Sequence, residues 1–363
     1  MPNAPSRSIL GNVLGQTGLF PFEVPAVPIF GQKGGQVLNS KSGPDLSDSG
    51  VDSSSRTRSQ RALMEPTLLE VCAERASLTH PVYTRRNFLW LAAGSAAGLA
   101  FYAGEIGRHE LEILELTIKL PRLPDAFAGM KIAQISDFHF QEFTEAAFLR
   151  AIVRRVNDLA PELVVLTGDF VSNKPLGNRI GIRMGYECAE LLSHIECPWR
   201  YAILGNHDAL VNSAAVTDAL GTHGIPVLAN GFVPLERDGQ RIWLAGIEDA
   251  LMQKPDLDRA LPSGRNRNVE PLILLSHEPD FADYAAGRQI DLVLSGHTHG
   301  GQILLPFMPP LLLPYLGTKY VHGLFKLREG MQLYVNRGIG AVNLPFRFRC
   351  PPEITLITLQ PGS

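Results

Sequence analysis

The chain has 363 residues and a formal net charge of −3, with 45% hydrophobic and 19% charged residues, enough apolar material for a substantial core. No basic block or stripe appears in the part that reads as folded, so no nucleic-acid partner is expected. Four cysteines (Cys72, Cys188, Cys197, Cys350) lack paired C-x-x-C spacing, which excludes an obvious disulfide framework or thiolate zinc site, although Cys188 and Cys197 could pair in an oxidising compartment.

Residues 1–83 do not read as a domain. Residues 34–61 are rich in Ser, Gly and Asp with no apolar period, and are expected to be disordered. Thr84-Arg85-Arg86-Asn87-Phe88-Leu89 then opens an uncharged run that lasts to Gly104. Paired arginines, a following Phe-Leu and an Ala/Gly-rich apolar segment resemble a twin-arginine export signal, with Trp90 where such signals often carry lysine. Residues 84–105 are therefore expected to be a signal or, being just long enough, a membrane anchor. That reading implies the twin-arginine translocase as a partner and a periplasmic or outward-facing location. Met64 would put the arginines at an ordinary distance from a start, so the first 63 residues read as an unusual leader or an over-extended beginning. The plainer alternative is a surface arginine pair ahead of a buried helix.

Residues 106–363 read as one mixed α/β catalytic domain. Residues 112–120 alternate as a strand, and 131–136 form a buried-type strand ending in Asp137-Phe138-His139. Phe148, Leu149, Ile152, Val153, Val156 and Leu159 are spaced for a helix over 145–159. Residues 163–167 are another apolar strand, ending in Gly168-Asp169. A helix around 186–195 precedes a strand at 201–204, which ends in Gly205-Asn206-His207-Asp208. Ser213 can cap a further helix that Gly224 ends. More strands are expected at 227–229, 241–246, 272–276 before His277, and 292–295 before Gly296-His297-Thr298-His299-Gly300. The tail supplies strands at 332–336 and 354–359.

Each polar cluster follows directly on a short buried strand. Ligands bind at the carboxyl ends of parallel strands, so Asp137/His139, Asp169, Asn206/His207/Asp208, His277 and His297/His299 can converge on one crevice. His297 and His299, alternate residues of an extended chain between glycines, could reach one site together. Carboxylates, imidazoles and one amide oxygen suit Mn, Fe, Zn or Co. Seven potential ligands (Asp137, His139, Asp169, Asn206, His277, His297, His299) are too many for one ion with an open position. They suit two ions about 3.5–4 Å apart, bridged by a carboxylate and a hydroxide, for in-line displacement at phosphorus. Singly the signals are weak, since a lone Gly-Asp is usually a turn and a lone histidine usually a core residue. All five in this order leave that bland reading little room.

The order D-x-H, G-D, G-N-H-D, H and G-H-x-H over residues 131–301 resembles the calcineurin-like metallophosphoesterases. Gly338-Ile339-Gly340 and Pro351-Pro352-Glu353-Ile354-Thr355 resemble the bacterial branch that carries twin-arginine signals. The resemblance implies a four-layer α/β/β/α sandwich and a hydrolase of phosphate mono- or diesters or diphosphates. It implies one ion on Asp137, His139, Asp169 and His299, and another on Asp169, Asn206, His277 and His297, with Asp169 as the bridge. By the same analogy His207 sits at the substrate phosphate and Asp208 holds its imidazole in the useful tautomer. Asp208 reads as well as a helix-start carboxylate, and the two roles are compatible.

Residues 303–316 are apolar and interrupted by prolines, which argues for a loop beside the metal site. Such a loop either folds back on its own core or meets a membrane or ligand. Joined to the apolar segment before Gly104, it points to a lipid-linked or envelope phosphate ester as substrate. Some members of the family hydrolyse UDP-2,3-diacylglucosamine in lipid A synthesis, but that substrate is cytosolic and an exported site would not meet it. A soluble phosphodiesterase or protein phosphatase of broad specificity is a further reading. A non-catalytic metal-binding scaffold is disfavoured by the complete ligand set. The other histidines (His80, His109, His194, His223, His322) read as surface or core residues.

Overall fold

Short apolar runs that are hydrophobic on both faces must be covered on both sides, and here two stacked sheets meet that need. The computed structural model describes residues 84–172, 178–310 and 312–362. The expectations for residues 1–83, with His80 and Cys72, lie outside the described residues. In chain order the elements are α1 (Arg85–Phe101), β1 (Glu112–Leu120), β2 (Lys131–Ile135), α2 (Ala146–Leu159), β3 (Leu163–Thr167), α3 (Asn178–Ser193), β4 (Trp199–Ile203) and α4 (Asn206–Thr222). They continue with β5 (Gly231–Arg237), β6 (Gln240–Gly246), β7 (Leu272–Leu275), β8 (Leu292–Ser295), β9 (Gly323–Lys326), β10 (Gln332–Val335) and β11 (Glu353–Pro361).

One sheet has the order β1-β11-β2-β3-β4 and the other β5-β6-β7-β8-β10-β9. Strands β2, β3 and β4 run parallel, as do β6, β7, β8 and β10. The alternation of side chains assigns the layers. In β3, Val164 and Leu166 face the helices α2, α3 and α4, whereas Leu163 and Val165 face the second sheet. In β8, Leu292 and Leu294 close that inter-sheet core, and Val293 points to the far side. The far side is covered thinly, by the single helical turns Leu257–Ala260 and Ala282–Ala285 and by loops. The result is the expected mixed α/β fold, two sheets flanked by helices in one catalytic domain.

Several elements differ from expectation. Helix α3 starts at Asn178, ahead of the expected 186–195, and Gly181 and Gly185 within it are buried contacts. A Cβ on Gly181 would lie 2.9 Å from Val211 Cγ1 of α4. Helix α4 begins at Asn206 and is interrupted at Asn212, whose Oδ1 accepts the Ala215 amide at 3.0 Å, so Asn212 rather than Ser213 is the internal cap. Residues 227–229 make one bridge, Ala202 to Val227, and no strand. Strands β5 and β9 were not expected. Both lie at sheet edges, where the proline of β5, Pro234, is tolerated.

Helix α1 is apolar all round. Thr84 Oγ1 accepts the Asn87 amide at 3.2 Å and caps it. With the turn that follows, Arg85–Ile106 is a 22-residue helix whose most apolar 18-residue stretch has a mean hydropathy of 1.2, long and apolar enough to cross a membrane. Its end is built into the domain. Ala103 O accepts the Arg347 amide at 2.9 Å, and Gly104 packs on the Phe346 ring.

Candidate metal centre

All the expected ligands stand where parallel strands end: Asp137 and His139 after β2, Asp169 after β3, Asn206 at the start of α4, His277 after β7, and His297 and His299 after β8. Five of these seven residues, Asp137, His139, Asp169, His297 and His299, have positive φ, between 42° and 74°. Each such backbone costs roughly 1–3 kcal/mol and persists where surrounding structure enforces it. The glycines between them permit close approach. A Cβ on Gly205 would lie 2.7 Å from His277 Nε2, and one on Gly296 would lie 2.5 Å from Asp137 Oδ2.

Hydrogen bonds fix which imidazole nitrogens face inward. Ser172 Oγ donates to Glu142 Oε2 and therefore accepts from His139 Nδ1, 2.8 Å away. His299 Nδ1 donates to Gly340 O at 3.2 Å. The two Nε2 atoms are thus bare, yet they face each other at 3.0 Å. Burial and neighbouring cations lower both groups, His139 to about 3, so neither takes a proton. Two lone pairs at that distance repel unless a cation lies against them.

A second pair is built alike. His277 Nδ1 donates to Thr167 O at 2.7 Å, and His297 Nε2 donates to Tyr315 O at 2.9 Å. His297 Nδ1 then faces His277 Nε2 at 3.2 Å. Burial lowers His277, but Asp169 beside it more than offsets this and holds it well above the ordinary histidine range. A proton on His277 Nε2 is what a bound cation would displace.

Asp169 links the two pairs. Its Oδ2 lies 3.2 Å from His277 Nε2 and 3.6 Å from His139 Nε2, while Oδ1 accepts the His207 amide at 2.9 Å. Asn206 Oδ1 is buried and has no hydrogen-bond partner, the state of a ligand atom rather than a structural amide. Asp137, His139 and His299 can place ligand atoms within 4.8 Å of one another, as can Asp169, His277 and His297. The donor set and its orphaned atoms fit a divalent metal.

His207 reaches the same place. Its ring packs edge-on against His139 with centroids 4.8 Å apart, it lines the cleft, and its Nδ1 is unpartnered. Asp208 does not hold that ring. Its Oδ1 accepts the amides of Phe170 (2.8 Å) and Val171 (3.1 Å), and its Oδ2 accepts that of Gly205 (3.0 Å). Of the two roles read for Asp208, the structure places it in the helix-start one, reaching back from the third position of α4 to the capping amide. Burial, with the charge of Asp169, pushes Asp208 up to about 8 against the pull of those amides.

The cleft above the centre has a volume of about 390 Å³ and is lined by Asp169, Asn206, His207, His297 and His299 together with Leu312, Leu313 and Pro314. Its support includes residues with no clear signal in the sequence. Ser172 and Glu142 orient His139, and Tyr315 orients His297 through a carbonyl that any residue would supply. Arg347, fully buried, donates to the carbonyls of Arg337 (2.8 Å), Gly338 (3.0 Å), Gly340 (3.0 Å) and Cys350 (3.1 Å). Away from the centre, His109 contacts Glu145, and His194 and His223 bond carbonyls of their own helices or turns. Cys188, Cys197 and Cys350 are free thiols.

The family model described as Calcineurin-like phosphoesterase matches residues 130–301. Over 287 residues the chain is 37% identical to the uncharacterized metallophosphoesterase YkuE of Bacillus subtilis, covering 76% of this chain and 98% of that protein. The chain belongs to the calcineurin-like metallophosphoesterases, and it is a hydrolase of phosphoester bonds. It is also 28% identical over 288 residues to the phosphodiesterase YaeI of Escherichia coli (76% of this chain, 99% of that protein). A third relative is the UDP-2,3-diacylglucosamine pyrophosphatase LpxG of Chlamydia trachomatis, 28% identical over 313 residues (70% of this chain, 91% of that protein).

Proposed function

We propose that the chain is a two-metal phosphoesterase, exported by the twin-arginine route and kept at the membrane by α1, that acts on lipid-linked phosphate esters or diphosphates. The observation that carries the metal count is the pairing of inward imidazole nitrogens, 3.0 Å and 3.2 Å apart, with Asp169 between the pairs. Asp137, His139, Asp169 and His299 would hold one ion, and Asp169, Asn206, His277 and His297 the other. Bound there, the ions would supply Lewis-acid stabilisation of charge at phosphorus and a nucleophile at neutral pH.

The chain's own groups do the rest. Ser172, Gly340, Thr167 and Tyr315 hold the four imidazoles in one tautomer each, so the lone pairs are in place before substrate arrives. Leu312, Leu313 and Pro314 exclude water from one wall of the cleft. His207, with its ring in the cleft, protonates the leaving oxygen. His207→Ala is expected to lower kcat by roughly 10²–10³-fold with metal content retained by elemental analysis. Metal and rate lost in equal proportion would overturn that role.

The lipid-linked assignment is supported by the apolar cleft wall and by the membrane-length helix joined to the domain. It is tested by profiling the metal-loaded protein against lipid phosphates, nucleotide diphosphates and bis-p-nitrophenyl phosphate. A preference for the simple ester over every lipid substrate would count against it. Export has its own test: Arg85→Lys with Arg86→Lys should hold the protein inside the cell, and an unchanged location sinks the export reading.

A second reading has a specific motive. The chlamydial relative is named as a UDP-2,3-diacylglucosamine pyrophosphatase, and a nucleotide-linked lipid of that kind would be met at the cytoplasmic face. Protease accessibility of the catalytic domain in sealed spheroplasts separates the two, because only a domain facing outward is cut.

A further inference from the structure

Between Gly301 and Lys319 the chain carries no charged residue, and four of its large side chains are turned outward. Phe307 is fully exposed, Tyr315 is 76% exposed, and Leu312 and Met308 are each more than half exposed. Burying such groups in water-free surroundings is favourable, so a cluster of them at one loop tip marks a contact surface. The loop's base and the exit of α1 are fastened to the same short strip. Phe348 N donates to Gln302 O and Leu304 N donates to Phe348 O, both at 3.0 Å. On the strip's other side Arg347 N donates to Ala103 O at 2.9 Å, and the Phe348 ring stands edge-on to Tyr102, centroids 6.3 Å apart. A helix of membrane-crossing length and an uncharged apolar loop therefore leave the domain from one site, beside the mouth of the catalytic cleft.

We propose that the tip of this loop, Phe307 and Met308 foremost, inserts into the surface of the bilayer that α1 crosses. The occupant of the apolar patch is lipid, because the patch is continuous through residues 346–348 with the end of α1. Seated this way, the cleft opens at the level of the lipid headgroups. A phosphoester then reaches His207 and the metal ligands while its acyl chains stay in the bilayer beside Leu312 and Leu313. The proposal rests on the membrane reading above and specifies how a lipid substrate is presented.

The test uses the full chain in phosphatidylcholine–phosphatidylglycerol vesicles. Met308→Cys, in a Cys72→Ser and Cys197→Ser background, is labelled with an environment-sensitive fluorophore. Blue-shifted emission quenched by lipids brominated in the acyl chain is expected, and emission as in water with no quenching overturns the proposal. Phe307→Asn with Met308→Gln supplies a second readout, Asn being suited to the positive φ of 63° at position 307. The double variant is expected to hydrolyse a diacylglycerol p-nitrophenyl phosphodiester in vesicles roughly tenfold more slowly, with turnover of soluble bis-p-nitrophenyl phosphate unchanged. Equal loss on both substrates overturns the proposal, because the tip would then support the catalytic fold itself. Quenching of the label without turnover of any lipid ester leaves the seating in place and removes only the lipid-substrate reading. Self-association through the tip in place of quenching assigns the patch to a second copy and overturns the lipid assignment.

Discussion

Asp169→Asn is expected to leave the fold in place and to remove activity by ~10³-fold or more, about 4 kcal/mol of transition-state stabilisation, together with most of the bound metal. Asp169 is the one candidate ligand whose single oxygen approaches an imidazole of each pair, His277 at 3.2 Å and His139 at 3.6 Å. An amide there removes the negative charge from between two cation positions. It does more if its NH₂ takes the place of Oδ2, since it would then donate to a bare imidazole nitrogen and relieve the repulsion that otherwise calls for an ion. Turning the amide the other way sacrifices the bond from the His207 amide, 2.9 Å from Oδ1. Under chelating conditions the variant should be less stable than the wild type, because Asp169 and the protonated His277 form a buried pair and the amide leaves His277 without its counter-charge. In saturating metal the wild type alone should gain stability, by linkage to binding. Elemental analysis, turnover of bis-p-nitrophenyl phosphate and thermal unfolding with and without chelator read the three expectations. Full metal content with lost rate would move Asp169 from metal holding to proton chemistry.

The ligand clusters could be read from sequence because each ends a short apolar run, and a run buried on both faces can hardly be anything but an inner strand. Which face each strand residue takes was not legible, because β3 is apolar on both sides: Leu163 and Val165 face the second sheet, Val164 and Leu166 the helices. What escaped was set by partners that have no side-chain signature. The tautomers of His277, His297 and His299 depend on the carbonyls of Thr167, Tyr315 and Gly340, and a carbonyl is common to all residues. The resemblance implied that Asp208 holds the His207 ring. Consecutive residues at a helix start diverge by about 100°, so the imidazole turns to the cleft and the carboxylate turns back to the amides of Gly205, Phe170 and Val171. Helix α3 runs further toward its N-terminus than 186–195, where Gly181 and Gly185 allow close packing against Val211 and Val216.

Arg347→Met is expected to cost about 3–5 kcal/mol of stability, the range for removing one partner from a buried charged network, and to weaken metal retention as well. The guanidinium is fully buried, and its Nε and Nη atoms are spread over the carbonyls of Arg337, Gly338, Gly340 and Cys350. A thioether offers none of these donors, so several buried carbonyls lose their partners at once, each at roughly 1–3 kcal/mol before relaxation. Lysine is a poor substitute, because one ammonium cannot span a planar fork of donors; Arg347→Lys should recover only part of the loss. The effect reaches the metal centre through one atom. Gly340 O accepts both from Arg347 Nε and from His299 Nδ1, so a Gly340 carbonyl left free to turn also frees the His299 ring. The backbone amide of residue 347, which the substitution keeps, goes on holding Ala103 O at the end of α1. Urea unfolding at saturating metal measures the stability loss. Metal competition with a chelator, under conditions where the variant is folded, measures the second effect. A variant that loses stability yet keeps wild-type metal affinity would confine Arg347 to the fold and break the proposed link from its guanidinium to His299.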